Sequence, residues 1–219
     1  MALIVDFATT IYHAPALSSK SRLHQELRAE AHLIREKDKD GQMWSKENYL
    51  RGYTSYGSLD RVHQLSSTFD ELRKILDSHV HRYVSRLKFD IHPRELQMTR
   101  MWINIMGQAC THSFHIHPLS VISGTHYVQM PPRGSAIKFE DPRLNQMMAR
   151  PPVRSSSKSS NPYLSLKPKS GDVVLFESWL KHEVPPHQDR TERISVSFNY
   201  DWVGKDEVSR VSDLRGSRQ

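Results

Sequence analysis

Hydrophobic positions in the first ninety residues recur at helical spacing. Between Ser21 and Glu36, Leu23, Leu27, Ala31 and Ile34 return every three or four residues. This predicts an amphipathic helix, and the charged run KDKDGQ with Gly41 reads as its stop. From Ser58 to Leu87 the apolar series Leu59, Val62, Leu65, Phe69, Leu72, Leu76, Val80, Tyr83 and Leu87 keeps the same period. Thr68 and Glu71 have capping-box spacing within it, so two helices meeting near Ser66 are expected. Upstream, Val5 to Tyr12 is β-branched and aromatic with no helical period, which predicts a short strand.

After Pro93 a period of two takes over, and Gly, Pro and Ser punctuate every eight to twelve residues. Strands are expected at Arg100 to Met106, Thr111 to His117, Val121 to Met130, Ala136 to Phe139, Asp172 to Phe176, Glu183 to Val184 and Arg193 to Tyr200, forming a barrel or sandwich. Helices first and strands second make the class α+β. In RISVSFN, Arg193, Ser195, Ser197 and Asn199 share one face and Ile194, Val196 and Phe198 the other. The apolar side should pack against helices and the polar side line an interior. Guanidinium cannot deprotonate and is costly to bury alone, so Arg193 requires a carboxylate, from the protein or from a ligand.

Composition narrows the function classes. A chain of 219 residues, 37% hydrophobic and 25% charged, has one domain's length and enough apolar material for one core, which excludes collagen-like and wholly disordered classes. Cys110 is the single cysteine, so no intramolecular disulfide can form and a cytoplasmic location is expected. No apolar run approaches the roughly 20 residues that span a bilayer. Met1 to Leu17 lacks a basic start and carries Asp6, so no signal peptide is expected. The net charge of +7 concentrates between Pro142 and Gly171, where Arg143, Arg150, Arg154, Lys158, Lys167 and Lys169 occur with no carboxylate. A segment of that length reads as a lid or a disordered loop, and its charge leans towards anionic ligands.

Thirteen histidines offer candidate chemistry. Two His-x-His pairs occur, against roughly 0.7 expected at random. His79 and His81 lie on a predicted helix, where residues two apart point about 200° from one another, so they read as packing or surface residues. His115 and His117 lie on a predicted strand, where alternate side chains share a face and can converge on one ion. Downstream, GDVVLFESWLKHEV places His182 just after an apolar strand. His112 and His126 flank the pair and read either as pocket-lining or as satisfied strand residues. Glu183 and His187 read as solvated rim residues, and Trp102, Trp179 and Trp202 as core or rim anchors.

His115-Ile116-His117, the distal His182 and Arg193-Ile194-Ser195 eleven residues later together resemble the motif of iron(II)- and 2-oxoglutarate-dependent oxygenases. GYTSYGSL, HIHPLSVISGTHYVQMP and FESWLKHEVPP through RISVSFN are similar to a bacterial subgroup of that superfamily, so the resemblance spans most of the chain. It departs from the general pattern at His117, where most members carry a carboxylate; the subgroup tolerates His-x-His. The resemblance implies a double-stranded β-helix (jelly-roll, cupin-like) core with N-terminal helices on one face, in a single domain over 1–219. Residues 1–92 would be mainly helical, 93–203 would form the core with a mobile loop 143–170, and 204–219 would be a flexible tail.

The resemblance further implies Fe(II) on His115, His117 and His182, and 2-oxoglutarate held by Arg193 and Ser195, with Asn104 and Tyr127 as further cosubstrate contacts. With O2, such enzymes oxidise a C–H bond and release succinate and CO2. Three neutral imidazoles in place of two and a carboxylate leave Fe(II) plus dianionic 2-oxoglutarate neutral. His117, if a ligand, fills the position halogenating relatives leave open, which ranks hydroxylation or desaturation first. In a second arrangement His117 stands behind the ligands and Asp141 or water completes the set. The expected substrate is a small molecule, amino acid or peptide with a leaning to anions. Nucleic acid ranks lower because no known binding motif is present and the charge is modest. No membrane partner is expected, and a homodimer is compatible with the chain. The competing class is a three-His metal cupin that does not use 2-oxoglutarate; it leaves Arg193 without a partner.

Overall fold

The computed structural model describes residues 7–149, 151–152 and 161–204. The chain runs β1 (Ile11–Pro15), α1 (Arg22–Lys37), α2 (Lys39–Asn48), β2 (Gly52–Thr54), α3 (Val62–Leu65), α4 (Ser67–Leu87), β3 (Leu96–Met106), β4 (His112–His115), β5 (Ile122–Gln129), β6 (Ile137–Glu140), β7 (Tyr163–Leu166), β8 (Asp172–Glu177), β9 (His182–Val184) and β10 (Arg193–Trp202). The strands form a six-stranded sheet in the order β1-β8-β5-β10-β3-β2 and a four-stranded sheet in the order β4-β9-β6-β7. The pairings within both sheets are antiparallel. This is the α+β, jelly-roll-like architecture expected from the chain. No helix among the described residues is long and apolar enough to cross a membrane.

The two-face alternation of β10 organises the layers. Ile194, Val196, Phe198 and Tyr200 join Ile103 and Ile105 of β3 and Val173 and Leu175 of β8 in one buried core with Leu23, Leu27 and Ala31 of α1 and Leu72, Leu76, Val80 and Tyr83 of α4. The opposite face of the large sheet carries the polar file of β10 inward. A second cluster, Tyr127, Ile137, Phe139, Val174, Phe176 and Leu180, closes the interior between the sheets.

Several elements differ from the sequence pattern for identifiable reasons. The first strand lies at Ile11–Pro15, paired with β8 from Ile11↔Phe176 to Pro15↔Asp172; residues 1–6 lie outside the described residues. The run KDKDGQ ends α1 at Lys37, as expected, but Gly41 is no stop, because the same run opens α2. The Asp38 side chain accepts from the Gly41 amide at 2.9 Å as its N-cap. Gly41 is required because any Cβ there would collide with the Asp38 carboxylate. The break near Ser66 is present, but Ser66 itself caps α4 by accepting from the Phe69 amide, in place of Thr68. Strand β4 ends at His115, so His117 sits just beyond it. Within 142–171, β7 pairs with β6, so that stretch is not wholly loop. Residues 150 and 153–160 of the expected lid, and the tail from 205, lie outside the described residues.

Helix α4 is tied to β10 by the buried Tyr200 hydroxyl, which donates to Asp77 Oδ1 at 2.6 Å, while Asp77 Oδ2 accepts from Arg73 at 2.7 Å. Tyr200→Phe removes the donor and leaves a partly buried carboxylate oxygen short of a partner. Thermal or denaturant unfolding should show a loss of about 1–3 kcal/mol.

Candidate active site

Three strands place their inward side chains in register. Opposite one another on β10 and β3 stand Arg193 and Met106, Ser195 and Asn104, Ser197 and Trp102, then Asn199 and Arg100. On the other flank of β10, β5 sets Tyr127, Thr125 and Ser123 against Ser195, Ser197 and Asn199. The inner wall is therefore a polar ladder with Arg193 at one end and Asn199 near the other. From the small sheet, β4 and β9 pair His115 directly with His182. The chain then turns so that the His117 amide donates to the Ser178 carbonyl at 3.0 Å.

His115, His117 and His182 converge: one ligand atom from each lies within 4.8 Å of the others, the only such group among the described residues. Their ring centroids are 4.2 Å (His115–His182), 5.2 Å (His115–His117) and 5.2 Å (His117–His182) apart. Each Nδ1 faces an oxygen: His115 the Ser113 carbonyl at 2.7 Å, His182 the Leu180 carbonyl at 2.8 Å, and His117 Asn199 Oδ1 at 2.8 Å. Carbonyl and amide oxygens only accept, so each ring carries its proton on Nδ1 and presents the Nε2 lone pair inward. Burial keeps all three neutral. It lowers His115, and pushes His117 down to about 4 and His182 to about 2, with the neighbouring His115 adding to both. Neutral imidazoles with fixed tautomers are the form that binds a divalent transition metal.

Arg193 lies at the far end of a narrow cavity whose lining includes the three histidines, Asn104, Thr125 and Ser195. It is 2% exposed. One guanidinium nitrogen donates to Ser195 Oγ at 3.1 Å and approaches Met106 Sδ at 3.3 Å. Its Nε and Asn104 Oδ1 are buried without partners, and no ion pair forms to Arg193 among the described residues. The described residues thus supply no carboxylate to the guanidinium. Tyr127 lies beneath the guanidinium, ring centroid 5.1 Å from Cζ, and supports Arg193 without lining the cavity.

A second cavity of about 350 Å³ opens on the other side of the histidines. It shares Trp102, His112, His115 and His117 with the inner one. Trp102 stacks on His117 at 5.8 Å, and His112 stacks on His115 at 4.2 Å. His112 lines both cavities, the pocket-lining one of its two readings, whereas Trp44 and Tyr56 were not legible as site residues, because Trp44 lies on α2 and Tyr56 in the loop after β2, elements the hydrophobic period did not reveal. The other candidates stand apart. Asp141 pairs with Arg143 at 2.8 Å, Glu183 with Lys138 at 2.8 Å, and His187 contacts the Thr191 carbonyl. His79 contacts Tyr12 in the helical layer, and His126 points to the helix side, its ring edge-on to His24. Trp202 donates to Glu95, and Trp179 is exposed.

Residues 100–199 match the family model described as "Putative 2OG-Fe(II) oxygenase". Over that stretch, a little under half of its length, the chain is similar to the 2OG-Fe(II) oxygenases. Members of that family use Fe(II), 2-oxoglutarate and O2 and are oxidoreductases. No curated protein sequence matches the chain significantly. Among solved structures it is similar to HygX from Streptomyces hygroscopicus with nickel and 2-oxoglutarate bound, at 14% identity over 88% of this chain and 83% of that one, TM-score 0.58. It is also similar to a Pseudomonas putida prolyl-4-hydroxylase, at 15% identity over 90% and 94%, TM-score 0.59. The epimerase SnoN from nogalamycin biosynthesis aligns at 12% identity over 88% and 76%, TM-score 0.59. At these identities the likenesses establish the fold.

Asn199 Oδ1 also accepts from Ser123 Oγ at 2.9 Å, and Ser123 contacts Ser178 Oγ at 2.7 Å. The amide is therefore held in place to orient His117. Asn199→Ala should weaken Fe(II) affinity about 10–100-fold, measured by competition with a chelator, while leaving the fold intact by circular dichroism.

Proposed function

We propose that the protein is a 2OG-Fe(II) oxygenase that oxidises a C–H bond of a small molecule, most simply by hydroxylation, with His115, His117 and His182 holding Fe(II) and Arg193 and Ser195 holding the far carboxylate of 2-oxoglutarate. The observation that carries this reading is Arg193, a buried cation facing a cavity that leads to three neutral imidazoles and contains no counter-ion. Iron held there would supply O2 activation, with 2-oxoglutarate, decarboxylated to succinate and CO2, giving two of the four electrons O2 takes up and the substrate C–H bond giving the other two. The chain's own groups do the rest. Arg193 fixes the register of the dianion, and Ser195 accepts from the guanidinium and holds it in place. Asn104, whose Nδ2 donates to Ser197 Oγ at 3.1 Å, has its Oδ1 free to accept from a protonated partner. Trp102 and Phe176 help keep water from the inner cavity. Tyr127 acts through Arg193 as a positioning residue.

Three features support a small-molecule substrate. The outer cavity is close to the lower end of the range for small-molecule sites. HygX has been crystallised with hygromycin B and SnoN with nogalamycin RO. Hydroxylation is our choice among family outcomes because all three His stand ready as ligands, leaving no vacant ligand position for a halide. A three-His cupin without 2-oxoglutarate would leave Arg193 buried and unpaired, a cost of several kcal/mol with nothing to offset it.

Anaerobic Fe(II) protein titrated with 2-oxoglutarate should develop a visible metal-to-ligand charge-transfer band. Arg193→Ala should raise the apparent Kd by at least about 30-fold, as expected for losing one partner of a buried charge pair. Fully metal-loaded protein that gives no band would favour the cupin. His182→Ala should lose stoichiometric iron by metal analysis, whereas His79→Ala and His81→Ala retain it; iron retained by His182→Ala would put the centre elsewhere.

A further inference from the structure

The outer cavity carries information about what enters it. Its rim is apolar and exposed: Trp44, Tyr56, Ile116 and Leu119 all show large hydrophobic surface to solvent. Leu119 is 99% exposed and its backbone adopts φ 72°, a left-handed conformation that L side chains rarely take. A leucine held that way at a cavity mouth gains nothing from the protein's own packing. The aromatic wall is closely packed on its inner side. Gly57 lies so close to the Trp44 indole that an added Cβ would come within 2.7 Å of the ring. Tyr56 meets Trp102 edge-on at 5.2 Å.

Charge in this cavity is unbalanced in one direction. Arg100 is already engaged: it donates to the Tyr56 hydroxyl at 3.1 Å, lies 5.9 Å from that ring's centroid, and reaches Asp60 at 3.6 Å. Asp201, the next inward residue of β10 after Asn199, lines the same cavity. Its Oδ1 is buried without a hydrogen bond, and it forms no ion pair among the described residues. Asp201 is therefore the charge lacking compensation.

We infer that the substrate is an amphipathic amine: an ammonium group directed to Asp201, on a compact ring-bearing or branched apolar body seated between Trp44, Tyr56, Trp102 and the Ile116–Leu119 rim. An ammonium desolvated beside aromatic faces gains from their negative π surfaces as well as from the carboxylate. A carboxylate in the same place would meet Asp201 and find Arg100 occupied. This reverses the anionic leaning of the 143–170 segment, whose most basic stretch lies outside the described residues. The inference rests on the proposed oxygenase reading, since it takes the outer cavity as the substrate side of the iron site.

The test uses the full chain, loaded anaerobically with Fe(II) and then with 2-oxoglutarate, and three probes that share a phenylethyl body: phenethylamine, 2-phenylethanol and 3-phenylpropionate. Binding is read calorimetrically and by perturbation of the charge-transfer band. Phenethylamine should bind at least tenfold more tightly than 3-phenylpropionate, with the alcohol between them. Asp201→Asn should remove that preference while leaving the 2-oxoglutarate band unchanged. Trp44→Ala should weaken all three probes. If the band never forms, the oxygenase reading fails and the inference falls with it. If the band forms but 3-phenylpropionate binds as well as phenethylamine, or Asp201→Asn keeps the preference, the substrate inference alone is overturned. Should Asp201→Asn fail to fold, the wild-type order of the three probes decides.

Discussion

Strand β10 has to serve two incompatible environments at once, and the period of two lets it do so. Ile194, Val196, Phe198 and Tyr200 are buried among the helices, while Arg193, Ser195, Ser197, Asn199 and Asp201 face the space between the sheets. A shift of one residue in register would drive a guanidinium into the helix–sheet core and strip the interior of its polar ladder. The apolar side alone involves several fully buried large residues, each worth roughly 1.5–3 kcal/mol on burial. Burial on the helix side therefore holds the register that sets the height of every functional group on the inner side.

The ladder creates a gradient along the barrel. At its closed end sits a permanent positive charge with no carboxylate partner among the described residues; in the middle are three imidazoles that burial keeps neutral; at the open end stands a carboxylate with no ion pair among those residues. A chain whose total stability is about 5–15 kcal/mol can carry a buried, unpaired Arg193 only at noticeable cost. An anion that binds there offsets that cost and stabilises the fold by mass action. The neutral histidines have the opposite logic. Their desolvation penalises only the protonated form, so the same burial that would harm a charged ring preserves the lone pairs a metal needs.

His117 shows how the unusual motif is accommodated. In place of a carboxylate it presents a neutral ring, and Asn199 of β10, 82 residues away in the chain, supplies the oxygen that fixes its tautomer. Ser123 and Ser178 in turn hold that amide oxygen. The third imidazole thus depends on three strand or strand-end residues, each ordinary in itself.

What the chain alone determined was whatever repeats at short range. The helical period marked α1 and α4, the alternation marked β3, β5, β8 and β10, and strand spacing separated His115 and His117 from His79 and His81. Arg193 was marked as a buried cation because its own strand pattern put it inside. Long-range geometry decided the rest. Whether Arg193 would find a protein carboxylate depended on residues from β3 and β5 that meet it only when folded. His117 lies past the end of β4, so its convergence with His115 comes from the turn anchored on Ser178 and not from strand alternation. Trp44 and Tyr56 entered the site because α2 and the loop after β2 come over the histidines. Their local sequence carries no period that could announce it, since a cavity wall is defined by which surfaces face one another and not by any spacing along one of them.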